Sequence, residues 1–444
     1  MSRRMRKLFG TDGIRGTVDV DLTTDLVADV GRALAAACRD GVLGERVDRP
    51  RIVIGRDTRP SGERLEGALI TGLLRGGADA VSGGVLPTAA VAYLVHATEA
   101  SAGVVVSASH NPPGDNGIKI FGPGGWKLDL EAEAAVEELV GSAPDAQPGS
   151  VVPLPDALAR YVDHLVEGGR DLHGLRVVVD CANGAAFRAG PEALRRLGAD
   201  VTAINADDDG RYINDGCGAL HAHVVADRAR ESGAVGVTFD GDADRVLFSD
   251  EEGHIVDGDG TLAVVATRMR ASGRLRGHAL VATVMANQAL RRWCADEGIE
   301  LVETSVGDRH VLEMMRAKSL VLGGEQSGHV IVGDRTTTGD GILTAIELLE
   351  ALAERGGRLG DIVPFRPIPQ VLVNVATNGG RVSSGPRLRE AIERAQRKLG
   401  AEGRILVRRS GTEPVVRVMV EAPDHDLASG VAEEVAHVLR EDSS

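Results

Sequence analysis

Short β-branched runs alternate with helix-period stretches along most of this chain, and the alternation predicts its elements. From Thr24 the apolar residues Leu26, Val30, Ala33, Leu34 and Ala37 recur at helical spacing, with Thr24 or Asp25 as the expected cap. Arg51-Ile52-Val53-Ile54-Gly55-Arg56-Asp57 predicts a strand and loop, followed by a helix over 63–74. Gly76-Gly77-Ala78-Asp79-Ala80-Val81 then leads into a second strand. Gly103-Val104-Val105-Val106 carries no helical period and predicts a third, buried strand. The same order restarts at Arg176-Val177-Val178-Val179-Asp180, with a helix over 191–197, a strand entered at Gly198-Ala199-Asp200-Val201, and Val235-Gly236-Val237-Thr238-Phe239. It returns more weakly at 279–283, 299–302 and 319–322.

Three such blocks in series imply three related α/β domains with mixed or parallel sheets. Beyond them the pattern changes to strands at 371–375, 404–408 and 415–420, a helix over 388–399 and a final helix, which reads as a smaller α+β domain. The linker-like Ser142-Ala143-Pro144-Asp145-Ala146-Gln147-Pro148-Gly149-Ser150, the Glu251-Glu252-Gly253 hairpin and Pro364-Phe365-Arg366-Pro367-Ile368-Pro369 mark the boundaries. The expected domains are 1–143, 152–253, 254–365 and 368–444. Each block's third strand runs into an unusual loop, at 107–112, 240–245 and 323–329. Three domains would deliver such loops to a shared central cleft.

Composition narrows the class. With 444 residues, 43% apolar and 26% charged, the chain has a globular make-up and room for several cores. Aromatic residues are only 2%, so aliphatic side chains and alanine must fill those cores. A formal charge of −15 argues against nucleic-acid binding but not against an anionic small substrate met by local arginines. The basic start, 1–7, is followed by no apolar run, and no stretch approaches a membrane span. Cys38, Cys181, Cys217 and Cys294 are scattered and read as reduced cytoplasmic thiols; His221 and His223 lack a nearby third ligand.

Four loops carry candidate chemistry. Ser107-Ala108-Ser109-His110-Asn111-Pro112 exposes serines at a strand end, where open α/β sheets bind ligands. A serine there needs a base, a metal or an attached phosphate to be reactive. Asp240-Gly241-Asp242-Ala243-Asp244-Arg245 sets three carboxylates at alternate positions, which suits a hard divalent cation. An EF-hand is disfavoured, because its sixth position must be Gly and here is Arg245. Gly323-Gly324-Glu325-Gln326-Ser327-Gly328-His329 offers groups suited to sugar hydroxyls. Arg408-Arg409-Ser410-Gly411-Thr412-Glu413-Pro414 with Arg417 is a recipe for a phosphate nest, without the ending of a nucleotide P-loop. Near the start, the glycine-dense Leu8-Phe9-Gly10-Thr11-Asp12-Gly13-Ile14-Arg15-Gly16 suggests a tight loop with Arg15 available for an anion.

Jointly and in this order, the four loops resemble the α-D-phosphohexomutase superfamily, and the resemblance runs from Leu8 to the final helix. Within it the chain is most similar to the bacterial members acting on glucosamine phosphate. That similarity lies in Phe9-Gly10-Thr11-Asp12-Gly13-Ile14-Arg15-Gly16, Asp115-Asn116-Gly117-Ile118-Lys119, Val306-Gly307-Asp308-Arg309, Gly324-Glu325-Gln326-Ser327-Gly328-His329 and Thr338-Gly339-Asp340-Gly341. The resemblance implies four domains around a central cleft. It implies interconversion of glucosamine 6-phosphate and glucosamine 1-phosphate through a 1,6-bisphosphate, feeding amino-sugar nucleotide and cell-wall synthesis.

By position, Ser109 would be the phosphoserine. Asp240, Asp242 and Asp244 would hold one Mg²⁺ with a phosphoserine oxygen, and Arg15, Lys119 and His329 would serve proton transfer or charge stabilisation. Glu325 and Ser327, with the Asp308 and Arg309 loop, would bind the sugar. Arg408, Ser410, Gly411, Thr412 and Arg417 would hold the phosphate that is not reacting. Glucosamine 1,6-bisphosphate would be primer and intermediate. The partner expected is a small hexosamine phosphate, with no nucleic acid and no membrane, in the cytoplasm; a homodimer stays open. Arg409, Met285-Ala286-Asn287-Gln288 and Gly218-Ala219-Leu220-His221 depart from the commoner family wording. They leave open a phosphomannomutase, a phosphoglucomutase or a paralogue for another sugar phosphate. A catalytically silent sensor is opposed by the presence of the serine, the aspartates and the basic residues.

Overall fold

A computed structural model describes residues 8–10, 12–376, 385–409 and 415–442. It is α/β, with a separate sheet for each of four domains. The chain forms two compact units, 1–284 with 302–363, and 285–301 with 364–444.

In the first unit, the first sheet orders its strands Ile14–Thr17, Asp115–Phe121, Ala102–Val106, Arg51–Arg56, Asp79–Val85 and Val151–Pro153. The central pairs are parallel, and Asp115–Phe121 runs antiparallel to both its neighbours. Ala102–Val106 lies inside the sheet, buried throughout, because a strand covered on both faces needs an unbroken apolar run. The linker-like stretch after Ser142 leads into the edge strand Val151–Pro153, which pairs with Asp79–Val85. The second sheet places Val235–Phe239 between the parallel Arg176–Asp180 and the antiparallel Val246–Ser249. In the third, Ala279–Thr283 pairs in parallel with Leu322–Gly324, and Val330–Val332 returns antiparallel to it.

Local chemistry moved several expected limits. The first helix, Thr24–Arg39, is capped by Thr23, whose hydroxyl accepts from Leu26 N, one residue before the expected cap. The helix Ala186–Arg196 starts well before Pro191 and carries that proline inside. The strand expected over 319–322 is Leu322–Gly324: Ser319 instead ends the helix Asp308–Lys318 in the left-handed conformation, with φ 55°.

In the second unit, the strands Gln370–Ala376, Val415–Glu421 and Arg404–Arg409 form an antiparallel sheet with Val415–Glu421 in the middle. The helices Pro386–Leu399 and His425–Asp442 share its core. The helix Gln288–Asp296 belongs to this unit: Gln288 N donates to Glu421 Oε2 at 3.0 Å, and Asn287 Nδ2 to the carbonyl of Ile368 at 2.9 Å. Among the described residues no helix is long and apolar enough to cross a membrane.

Candidate active site

The buried strand Ala102–Val106 ends in Ser107, Ala108 and Ser109, which stay buried as the chain turns. Ser109 takes a left-handed conformation, φ 53°, unusual for a residue with a Cβ. Its hydroxyl donates to Asp240 Oδ2 at 2.6 Å and lies 3.2 Å from His110 Nδ1. Burial, with Arg245 and Arg15 close by, pushes the His110 imidazole down to about 4, so it is neutral at ordinary pH.

Asp240 opens the loop after Val235–Phe239, and the carboxylates of Asp240, Asp242 and Asp244 each offer an oxygen within 4.8 Å of the others. Ala243, φ 58°, makes the turn that brings them together. Asp242 Oδ2 accepts from Thr88 Oγ1 at 2.6 Å, and Thr88 N donates to the Asp242 carbonyl at 3.0 Å, so the first domain fixes a loop of the second. The third domain contributes Gly341 N, which donates to the Ala243 carbonyl at 3.0 Å. Asp242 Oδ1 and Asp244 Oδ1 are buried with no hydrogen-bond partner among the described residues. Three clustered carboxylates, two of them with an unpaired oxygen, are the donor set a hard divalent cation takes, so these residues fit a metal.

The cluster's counter-charge is Lys119, on the strand Asp115–Phe121. Its Nζ lies 2.7 Å from Asp242 Oδ2, 2.9 Å from Asp244 Oδ2 and 3.0 Å from Asp12 Oδ2. Burial alone would lower the Lys119 ammonium, but Asp12, Asp242 and Asp244 outweigh it and hold the pKa well above the usual value. Burial raises Asp242 while Lys119 and Thr88 pull it down further, and it ends below the carboxylate range. Asp240 goes the other way: burial, then the charges of Asp244 and Asp242, push it well above that range. Asp12 also pairs with Arg15 and with Lys127, whose Nζ is 2.7 Å from Asp12 Oδ1 and 2.5 Å from Asp308 Oδ2.

Glu325 lies against the 306–309 loop, its Oε1 accepting from Gly307 N at 3.0 Å. Asp308 faces Lys127, whereas the buried Arg309 guanidinium is bound to Glu133 on the helix Leu130–Leu139. Ser327 is exposed at the loop tip. His329 is buried, bridges Arg245 by its backbone and keeps Nδ1 without a hydrogen-bond partner among the described residues. Only glycine fits at 339, where an added Cβ would lie 2.2 Å from His329 Nε2. The structure thus gathers Arg15, Ser109, Lys119, Asp240, Asp242 and Asp244, and ties Glu325 to the Asp308 loop.

Arg408 and Arg417 sit opposite each other on adjacent strands of the second unit. Ser410, Gly411 and Thr412 lie outside the described residues. Asp12, Thr88 and Lys127 escaped the sequence reading. Asp12 stood in the glycine-rich opening, but a lone Thr and a lone Lys carry no motif, and their partners are far away along the chain.

Four family models match successive parts of the chain: Phosphoglucomutase/phosphomannomutase alpha/beta/alpha domain I over residues 6–146, domain II over 159–253, domain III over 257–366, and the C-terminal domain over 372–438. A curated phosphoglucosamine mutase of Mycobacterium sp. (strain KMS) is 49% identical, the match covering 98% of this chain and 100% of that one. Another from Desulforudis audaxviator is 47% identical over 98% of each. The crystal structure of a phosphoglucomutase/phosphomannomutase family protein from Burkholderia thailandensis superposes with a TM-score of 0.83 at 25% identity, covering 98% of this chain and 97% of that one. The chain belongs to the phosphoglucosamine mutase family of the phosphohexomutase superfamily.

Proposed function

We propose that this protein is an isomerase that interconverts glucosamine 6-phosphate and glucosamine 1-phosphate through a phosphoserine at Ser109. The observation that carries the reading is the Ser109 hydroxyl, 2.6 Å from Asp240 in a three-carboxylate cluster that the Lys119 ammonium neutralises in part. Relatives named phosphoglucosamine mutase at 45–49% identity over almost the whole chain support the substrate, and the phosphomannomutase and phosphoglucomutase alternative has no comparable support.

In the cycle, the bond from phosphorus to Ser109 Oγ breaks as a bond forms to O6 of glucosamine 1-phosphate, giving the 1,6-bisphosphate. That intermediate turns round and returns its 1-phosphoryl group to Ser109, leaving glucosamine 6-phosphate. Phosphoryl transfer asks for alignment and charge neutralisation more than for covalent help. Lys119 stays protonated and offers positive charge to the phosphoryl oxygens, with Arg15 beside it. His329 Nδ1 accepts the hydroxyl proton of the sugar. Mg²⁺, held by Asp240, Asp242, Asp244 and a phosphoserine oxygen, would add charge stabilisation to the transferring group.

Glu325 and Ser327 bind sugar hydroxyls, and a carboxylate or amide of the 306–309 and 324–329 loops (Glu325, Asp308 or Gln326) favours an ammonium at C2. A charge-assisted hydrogen bond there is worth roughly 1.5–3 kcal/mol, about one to two decades in specificity. Arg309, paired with Glu133 through Nη2, holds the loop that carries Asp308 and offers its Nη1 to the sugar. Arg408 and Arg417, with Ser410, Gly411 and Thr412 between them, take the phosphate that is not reacting. Glucosamine 1,6-bisphosphate primes the serine, and the reaction belongs in the cytoplasm.

Two measurements test the reading together. Peptide mass analysis should find a labile phosphate on Ser109, with nearly all turnover lost in Ser109→Ala. Under equal priming, kcat/KM should favour glucosamine 6-phosphate over glucose 6-phosphate and mannose 6-phosphate. An unphosphorylated protein fully active without bisphosphate would sink the mechanism, and equal rates on the three sugars would sink the substrate assignment.

A further inference from the structure

Ser109 is held in its left-handed conformation by groups outside its own loop. The side chain of Arg59 is fully buried and paired with Asp57, Nε to Oδ2 at 2.8 Å. Its two amino groups donate to carbonyls along the serine loop: Ser109 at 2.9 Å, Asn111 at 2.8 Å, Asp115 at 2.9 Å, and Pro112. Asp57 Oδ2 also accepts from the Ser107 hydroxyl at 2.6 Å, and that hydroxyl oxygen accepts from Ser109 N at 2.9 Å. From the second domain, Asn214 Nδ2 donates to the same two carbonyls, Ser109 at 2.9 Å and Asn111 at 3.2 Å. Each of these carbonyls is therefore gripped by two domains at once.

A buried ion pair is a costly way to stabilise an ordinary turn, and prolines or glycines do that more cheaply. What the pair adds is direction. A guanidinium is a rigid fork with five donors, and only such a group can fix several carbonyls at defined angles. The reacting hydroxyl sits between this clamp and the carboxylate of Asp240, so the clamp sets where a phosphoryl group on it would lie.

We infer that Arg59 and Asn214 are positioning residues for phosphoryl transfer: they clamp the backbone of Ser109 from two domains and aim its hydroxyl at the Asp240–Asp244 cluster. This rests on the reading of Ser109 as the phosphoryl carrier. Asn214 itself has φ 59°, a conformation Asp tolerates nearly as well as Asn, so Asn214→Asp keeps the shape while turning a donor into a carboxylate facing two carbonyls.

The test is single-turnover transfer from phosphorylated enzyme to glucosamine 1-phosphate in magnesium, by rapid quench. Asn214→Asp should slow transfer about 10- to 100-fold, as misplacement of the reacting group by up to an ångström does, with KM unchanged. Arg59→Lys, a point charge without the fork, should slow it at least as much. Thr58→Val is the structural control. It removes the bond from the Thr58 hydroxyl to the Asn183 carbonyl, 2.5 Å across the same pair of domains, and should lower Tm while transferring at the wild-type rate. Wild-type transfer by Asn214→Asp overturns the clamp, and so does an equal slowing by Thr58→Val. Should Arg59→Lys fail to fold, Asn214→Asp alone decides. If the wild-type enzyme carries no phosphate on Ser109, it is the functional reading that fails.

Discussion

Replacing Lys119 with methionine should destabilise the protein much more in chelator than in magnesium. The ammonium contacts Asp242, Asp244 and Asp12 at 2.7, 2.9 and 3.0 Å and is only 4% exposed. Methionine keeps the length and apolar stem of the side chain but leaves those carboxylates without their shared counter-charge. Unit charges 4 Å apart interact by about 4 kcal/mol at an effective dielectric near 20. Breaking a buried pair by removing one partner costs about 3–5 kcal/mol, and that is the loss in unfolding free energy we expect in EDTA. A divalent cation on Asp240, Asp242 and Asp244 meets a more negative site in the variant and binds it more tightly. By linkage it then returns part of the loss, about 1.4 kcal/mol for each tenfold gain in affinity. Urea unfolding followed by circular dichroism, in EDTA and in saturating magnesium, reads both quantities. Turnover in magnesium should fall about 10²–10³-fold, because the ammonium's charge stabilisation is gone. Equal deficits with and without magnesium, or a deficit under about 1 kcal/mol in EDTA, would refute the reasoning.

Two further predictions concern buried titratable groups other than the three aspartates of the metal loop. Burial pushes the Asp340 carboxyl up to about 6, although Leu343 N and the Tyr161 hydroxyl both donate to it. A folded pKa above the unfolded one means this group's contribution is complete below about pH 4 and is lost as pH rises through about 6, some 3 kcal/mol in all. Asp340→Asn should therefore gain stability relative to wild type between pH 4 and 7, and denaturation curves that stay parallel across that range would contradict this. All four cysteines are buried, and burial alone raises the Cys38 thiol to about 12, so a thiol reagent should label none in the native protein and all four in urea. Rapid native labelling of any of them would count against the buried placement.

Legibility followed the range of the interactions. The strands Ala102–Val106 and Val235–Phe239 stood out as short β-branched runs bounded by polar loops, because both faces of each are covered. Ile14–Thr17 did not: it is a four-residue edge strand inside a glycine-rich segment, and its pairing with Asp115–Phe121 decides its conformation. The helix Gly341–Arg355 offered no amphipathic face, because residues 341–352 are buried on every side. At the site, the three aspartates declared themselves because one short loop carries them. Thr88 and Lys127 did not, since Thr88 meets Asp242 154 residues away and Lys127 meets Asp308 181 residues away. The grip of Arg59 on the serine loop was equally hidden, for Arg59 lies in a polar stretch that looks like any surface turn until it is found buried.

Ser109 and Asp240 are 131 residues apart, and that distance has a meaning during synthesis. At roughly 5–20 residues per second a ribosome needs about 7–26 s to add the acidic loop after the serine has been made. During that interval the N-terminal domain can fold with its Asp57–Arg59 pair in place, yet it has no carboxylate cluster to receive the hydroxyl. A chain that stalls or is cut before Asp240 therefore holds a serine loop gripped from the first domain alone, without its acidic counterpart. Such fragments should neither take up phosphate nor release it, so abandoned translation products leave the cell's sugar phosphates untouched.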